Sequence, residues 1–219
     1  MGKLIVLEGI DGSGKSTQFG LLSVRLERED VRFRRLRFPR YEEESSALIR
    51  LYLGGRFGSD PESVNAYAAS TFFAVDRFAS WAEDWRDYYR AGGLLLTDRY
   101  TTSNAIHQGA KLEGEAREEF FRWLYDFEFR LMELPKPDRV IYIDIPAERA
   151  IERLRAREAA TGTGADIHEK DAAYLRKCRE TGLAAAEYYG WNVVSAFSGG
   201  TGRSPEDIHE EIYSIIKGA

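Results

Sequence analysis

An α/β fold built around a mostly parallel sheet is predicted by three observations. Five short apolar runs alternate with longer stretches of helical composition. The first run opens directly into a glycine-rich loop that leads into a helix. The longest apolar runs, LIVL at 4–7 and LLL at 94–96, fall far short of the roughly 18 residues a membrane span needs. Each parallel neighbour in a sheet needs a crossover connection, usually a helix, so this alternation implies five strands flanked by helices. Ligands are then expected at the carboxyl ends of the strands.

The strands are predicted at LIVLE (4–8), FRRLRF (33–38), LLLTD (94–98), VIYIDI (140–145) and NVVSAF (192–197). Several are apolar on consecutive positions, as strands buried on both faces are. A helix over 16–28 follows the glycine loop, and one over 61–90 is started by Asp60-Pro61 and stopped by Gly92-Gly93. Further helices are predicted over 115–133, ending at LPKPD, and over 146–157, 171–189 and 205–217. AATGTGAD (159–166) holds small residues and two glycines without an apolar anchor, so it is expected to be a mobile flap. SGGTGRSP (198–205) is expected to form a surface turn.

A chain of 219 residues is enough for one sizeable domain, 1–219, without requiring a second. Hydrophobic residues at 43% and charged residues at 31% exclude disorder and fibrous classes. The first residues lack the pattern of an export signal, and the single cysteine, Cys178, has no disulfide partner, so a cytoplasmic home is expected. A formal net charge of -5 argues against a broad grip on nucleic acid polymers. Arginines nonetheless crowd 25–40 and 149–157. These islands suit small polyanions such as nucleotides, or else form solvated helix faces.

GIDGSGKS, at 9–16, has two glycines at the spacing of a phosphate-binding loop, followed by lysine and a hydroxyl residue. The glycines let successive backbone N–H groups curl toward phosphate oxygens. Lys15 brings a cation to the β and γ phosphates, Ser16 offers a hydroxyl to Mg2+, and the following helix adds its positive end. Nucleotide phosphates are therefore expected over Gly9, Ile10, Asp11, Gly12, Ser13, Gly14, Lys15, Ser16 and Thr17. Asp98, ending an apolar strand, is the candidate acid for the metal, with Arg99 beside it and Glu8 and Asp11 nearer the loop. Phe73 and Arg77, four apart, share a helix face and form either a base-reading pair or part of the core. Arg149, Arg153 and Arg157 share another face, with Arg155 to one side, placed to reach a transferring phosphoryl group or to lie in solvent.

Taken together, GIDGSGKST (9–17), RFP (37–39), FFAVDR (72–77), DRYTTSNAIHQGAK (98–111), LPKPD (134–138), RLRAR (153–157) and DIHEKDAAYL (166–175) make the chain resemble the thymidylate kinases. The resemblance implies the P-loop nucleoside monophosphate kinase fold, with ATP-dependent conversion of dTMP to dTDP. It also implies ATP and Mg2+ as cofactors, no polymer or membrane partner, and a homodimer, with the segments around Trp81 and Trp123 as a candidate interface. Alternatives are a kinase of the same fold acting on another deoxynucleoside or its monophosphate, and a nucleotide-gated binding protein without kinase activity.

The resemblance also assigns roles. Asp11 matches the carboxylate near the sugar 3'-hydroxyl and phosphate of dTMP, Phe73 the stacking aromatic and Arg77 the arginine that reads the thymine carbonyl. Asp98 and Arg99 match the acid and arginine near metal and monophosphate, and Tyr100 lies beside base or sugar. Arg37, Phe38, Arg40, His107, Gln108 and Glu169, with His168 near it, complete the dTMP set. Family members place an arginine two positions after RFP, where this chain has Tyr41, so Arg37, Arg40 or neither takes that role. Gly12 stands where some members carry a basic residue in the loop. The transition-state cation is therefore expected from a lid over about 153–170, the bacterial arrangement, with Arg153 ahead of Arg155 and Arg157. Arg149 is expected to stack on adenine, opposite the turn at 198–201.

Overall fold

The computed structural model describes residues 1–161 and 172–218. Strands β1 (Lys3–Glu8), β2 (Phe33–Arg37), β3 (Leu94–Asp98), β4 (Arg139–Asp144) and β5 (Asn192–Ser195) form one parallel sheet in the order β2-β3-β1-β4-β5. Leu4, Val6 and Leu7 of the central strand, Leu95, Leu96, Ile141 and Ile143 are all fully buried. Consecutive apolar residues thus enter the core from both faces, as a parallel sheet covered on both sides requires. The edge strand β2 buries only Leu36, which explains its arginine-rich composition.

Helices α1 (Lys15–Arg28) and α9 (Pro205–Lys217) pack on each other, α1 against β1 and β3, and α9 against β5. Helix α8 (Ala172–Tyr189) packs on β4, β5 and the short helix α5 (Thr101–His107). Neither α5 nor the short helix α2 (Ala47–Leu53) is foreseen by periodicity. The Thr-Thr-Ser-Asn run of α5 has weak helix propensity. Buried Glu8 of β1 holds its first turn instead, accepting from Tyr100 N (3.2 Å), Thr102 Oγ1 (2.6 Å) and Ser103 Oγ (2.8 Å).

The helix predicted over 61–90 begins later. Pro61–Ser63 makes one tight turn, and α3 (Ala66–Ser80) starts at Asn65, whose Oδ1 accepts from Ala68 N at 2.8 Å. A π-helical stretch, Trp81–Trp85, joins α3 to α4 (Arg86–Arg90). Trp81 and Trp85 turn inward and meet edge to face at 4.5 Å, so Trp81 belongs to the core rather than to an interface. Trp123, on α6 (Gly114–Tyr125), stacks on Phe127 of the π-helical stretch Asp126–Leu131. The run predicted as a strand over 192–197 ends at Ser195. Phe197–Ser198 then pairs with Thr201–Gly202 as a hairpin, β6 and β7, closed by Gly199 and Gly200 at φ 57° and 81°.

Helix α7 (Ala147–Thr161) extends past the predicted end at 157. The flap at 159–166 falls largely outside the described residues, as do His168 and Glu169.

Candidate active site

The loop at 9–14 joins the carboxyl end of β1 to the N-terminus of α1, beside the point where the chain order reverses about the central strand. Its glycines are required by geometry. A Cβ on Gly9, at φ 151°, would lie 2.7 Å from Ile143 O, and one on Gly12, at φ 80°, would lie 2.5 Å from Ala150 O. The loop therefore packs against the backbone of α7, and Gly14, at φ 98°, caps α1. Lys15 Nζ donates to Gly9 O (2.7 Å) and Ile10 O (2.9 Å). Burial, reinforced by the nearby Arg99 cation, lowers its pKa to about 8 against the pull of Asp11, Asp98 and Glu8.

Register places Arg37 opposite Asp98 and Asp98 opposite Leu7, so acid and base converge at the carboxyl edge. Asp98 is buried; its Oδ2 accepts from Arg37 Nη2 at 3.2 Å, while its Oδ1 is buried without a hydrogen-bond partner. The same Nη2 reaches Ser16 Oγ at 3.4 Å. The unpartnered Oδ1 of Asp98 and the hydroxyl of Ser16 are oxygen donors of the kind a hard cation takes, its remaining ligands coming from phosphate and water. Among the described residues no group of three or more His, Cys, Asp or Glu could hold a metal ion. Glu8, just beneath, has its pKa raised by burial, against the pull of Arg99, Thr102, Lys15 and Ser103.

Arg99 has a left-handed backbone, φ 71°, that turns its guanidinium back across the sheet edge. Nη2 donates to Asp11, and Nη1 meets Ser103 Oγ (3.3 Å) and His107 Nε2 (3.1 Å). From here a cavity of about 480 Å³ runs to Phe73, Tyr41, Phe38 and Leu53. Phe73 is half-buried, edge-on to Tyr52, and lines this cavity. Gln108 lines the cavity with its Oε1 buried and unpartnered, and Asn104 and Tyr100 line it as well. Arg77 also lines it, but its guanidinium is gripped by buried Glu128 through Nε (2.7 Å) and Nη2 (2.6 Å). Its Nη1 reaches only Tyr100 O, at 3.4 Å. At the other end α7 leans over the loop, with Arg153 Nη1 3.4 Å from both Gly12 O and Ser13 O and with Arg157 on the cavity wall.

This cationic cleft with an aromatic far end has a counterpart among known proteins, since the sequence model of the thymidylate kinase family matches residues 7–212. The chain belongs to the thymidylate kinase family. A thymidylate kinase of Mycobacterium tuberculosis is 35% identical over 192 residues, covering 86% of this chain and 87% of that protein. A probable thymidylate kinase of Pyrobaculum aerophilum is 30% identical over 213 residues, covering 97% and 95%. The solved structure of thymidylate kinase from Candida albicans shares the fold, with a TM-score of 0.70 at 23% identity over 99% of this chain and 91% of that one. The enzyme is a phosphotransferase that converts dTMP to dTDP, and this activity stands above the two alternatives raised by the sequence.

Not every predicted residue reaches the cleft. Arg40 is outside the cavity lining; its backbone N and Nε donate to Asp76 (2.9 and 3.2 Å) and its Nη2 to Ser45 (3.0 Å), so it braces the segment after RFP. Arg37 and Tyr41 do line the cavity. Arg155 sits two residues from Arg153, on the opposite side of α7, exposed and off the cavity. Arg149 is exposed, outside the cavity lining, and donates to Glu152 at 2.9 Å. Gly9 and Ile10 contribute carbonyls to Lys15 and form the floor of the loop, while 11–17 face the cavity. Glu128, Asn104 and Ser103 are site residues missed from sequence. Asn104 and Ser103 lie in a recognised segment, but Glu128 is 51 positions from Arg77 and no local pattern signals it.

Proposed function

We propose that ATP and Mg2+ bind over Gly9–Thr17 and that dTMP lies with its base against Phe73 and its phosphate toward Arg99 and Arg37. The observation that carries this reading is the single cavity joining the phosphate loop, the Asp98–Arg99 edge and the aromatic far wall. Loop N–H groups and Lys15 hold the β and γ phosphates, and the acceptor oxygen attacks the γ phosphorus in line. Ser16 and Asp98 would hold Mg2+, which when bound neutralises charge on the β and γ phosphates. Arg153, already over the loop, supplies the mobile cation for the transferring group, with Arg157 beside it, in the bacterial manner. Catalysis then comes from positioning and from charge spread over the transition state, not from covalent participation by a side chain.

Gln108 and Arg77 are the groups that read the base edge, Gln108 through its unpartnered Oε1. Tyr100 and Asp11 border the sugar. Two variants test the division of labour in steady-state kinetics. Phe73→Ala is expected to raise KM for dTMP about tenfold with KM for ATP little changed. Arg153→Ala is expected to lower kcat by about a hundredfold or more with both KM values little changed. A shared effect on both KM values, or unchanged kcat in the second variant, contradicts the assignment.

The chain is further proposed to act as a homodimer in the cytoplasm. Val75 and Phe78 on α3 and Leu48 and Leu51 on α2 are exposed apolar residues on adjoining helices, a surface suited to a second copy. No described helix is long and apolar enough to cross a membrane.

A further inference from the structure

His107 lies outside the loop motif, and both of its ring nitrogens have directed partners. Nε2 lies 3.1 Å from Arg99 Nη1, and Nδ1 lies 3.6 Å from Cys178 Sγ on α8. A guanidinium carries N–H donors and no acceptor, so this contact requires Nε2 to present its lone pair. A neutral imidazole has one such nitrogen, and Nδ1 must therefore bear the hydrogen. That hydrogen points at a thiol which burial keeps protonated, leaving the sulfur lone pairs to accept. From the same helix the Tyr174 hydroxyl donates to the His107 carbonyl. Helix α8 thus grips residue 107 by ring and backbone at once.

We propose that His107 is a positioning residue for Arg99, and that Cys178 fixes its Nδ1–H tautomer so that Nε2 holds the Arg99 guanidinium aimed along the cleft. The inference rests on the proposed role of Arg99 toward the acceptor phosphate. Arg99 is otherwise fixed by Asp11 and, at 3.3 Å, by Ser103. Asp11 belongs to the loop that receives the other nucleotide, so Arg99 is tied to the acceptor wall by two groups of α5, Ser103 Oγ and, at the shorter distance of 3.1 Å, His107 Nε2. Because Cys178 and Tyr174 of α8 hold His107, docking of that helix and the aim of Arg99 are joined through one imidazole.

Two measurements test this, one of them independent of activity. In the 15N spectrum of the histidine-labelled protein, which has three histidines, His107 is expected to show an acceptor-type Nε2 and a protonated Nδ1. Cys178→Ala is expected to shift it toward a mixture of tautomers. In kinetics, His107→Leu is expected to lower kcat/KM for dTMP about tenfold with kcat/KM for ATP little changed. His107→Gln, whose amide oxygen replaces the acceptor, is expected to recover to within about threefold of the parent. A protonated Nε2 overturns the proposal, as does a Gln variant as impaired as the Leu variant. If Arg99→Lys leaves kcat/KM for dTMP unchanged, the role of Arg99 and the inference with it are overturned. The tautomer signature would then persist, separating that failure from a wrong reading of His107.

Discussion

Lys15 illustrates what a phosphate site demands of a single residue. Its ammonium is nearly fully buried and held by two loop carbonyls, and burial has lowered its pKa to about 8. In the proposed function the cationic form holds phosphate, and that form is lost as pH rises through the lowered pKa, well below that of a free lysine near about 10.4. Since kcat/KM reports on free enzyme, kcat/KM for ATP is expected to fall above about pH 8. A profile flat to about pH 10 contradicts that burial. Lys15→Ala is expected to lower the rate by two or more powers of ten, on the order of 3 kcal/mol. The placement of Lys15, Ser16 and Asp98 in the cavity was legible from sequence because it depends on local spacing. The guanidinium of Arg40 was not, because its partner Asp76 is 36 residues away and only the fold brings them together.

At the scale of elements, the site is held by struts that cross the sheet edge. Glu8 fixes the start of α5, and Glu128 ties α3 to α5 by accepting from Arg77, from Thr101 Oγ1 (2.6 Å) and from Asn104 Nδ2 (3.4 Å). Arg77 and Glu128 are both buried, so removing one charge leaves the other uncompensated. Glu128→Gln is expected to cost about 3 to 5 kcal/mol of stability, measured by urea denaturation, and to weaken dTMP binding by loosening Arg77. A change below about 1 kcal/mol would show that the strut carries little. All five strands and the main helices were legible from apolar runs and glycine stops. Helices α2 and α5 were not, since α5 depends on a carboxylate donated from β1 rather than on its own propensity. The same limit applies to α7, where the four-residue spacing put Arg149, Arg153 and Arg157 on one face but could not tell that Glu152 takes Arg149.

For the whole molecule, the parallel sheet brings Arg37, Asp98 and Arg99 to its carboxyl edge beside the loop, and α2 and α3, which carry Leu53 and Phe73 of the cavity wall, also expose Leu48, Leu51, Val75 and Phe78. Sedimentation is expected to give twice the chain mass, and Val75→Glu combined with Phe78→Glu is expected to give the single chain mass with an intact fold. A monomer of the parent chain at micromolar concentration contradicts that use of the surface. The fold and activity were visible in the order of motifs along the chain, whereas the assembly of Phe73, Gln108 and His107 around one cavity, to which the proposed function assigns acceptor preference, depends on the fold. The most direct test is ADP formation from ATP and Mg2+ with dTMP, dUMP, dGMP, dAMP, dCMP, CMP, AMP and thymidine as acceptors, using Lys15→Ala as the blank. The highest kcat/KM is expected for dTMP; a higher value for any other acceptor contradicts the assignment of the aromatic wall to thymine.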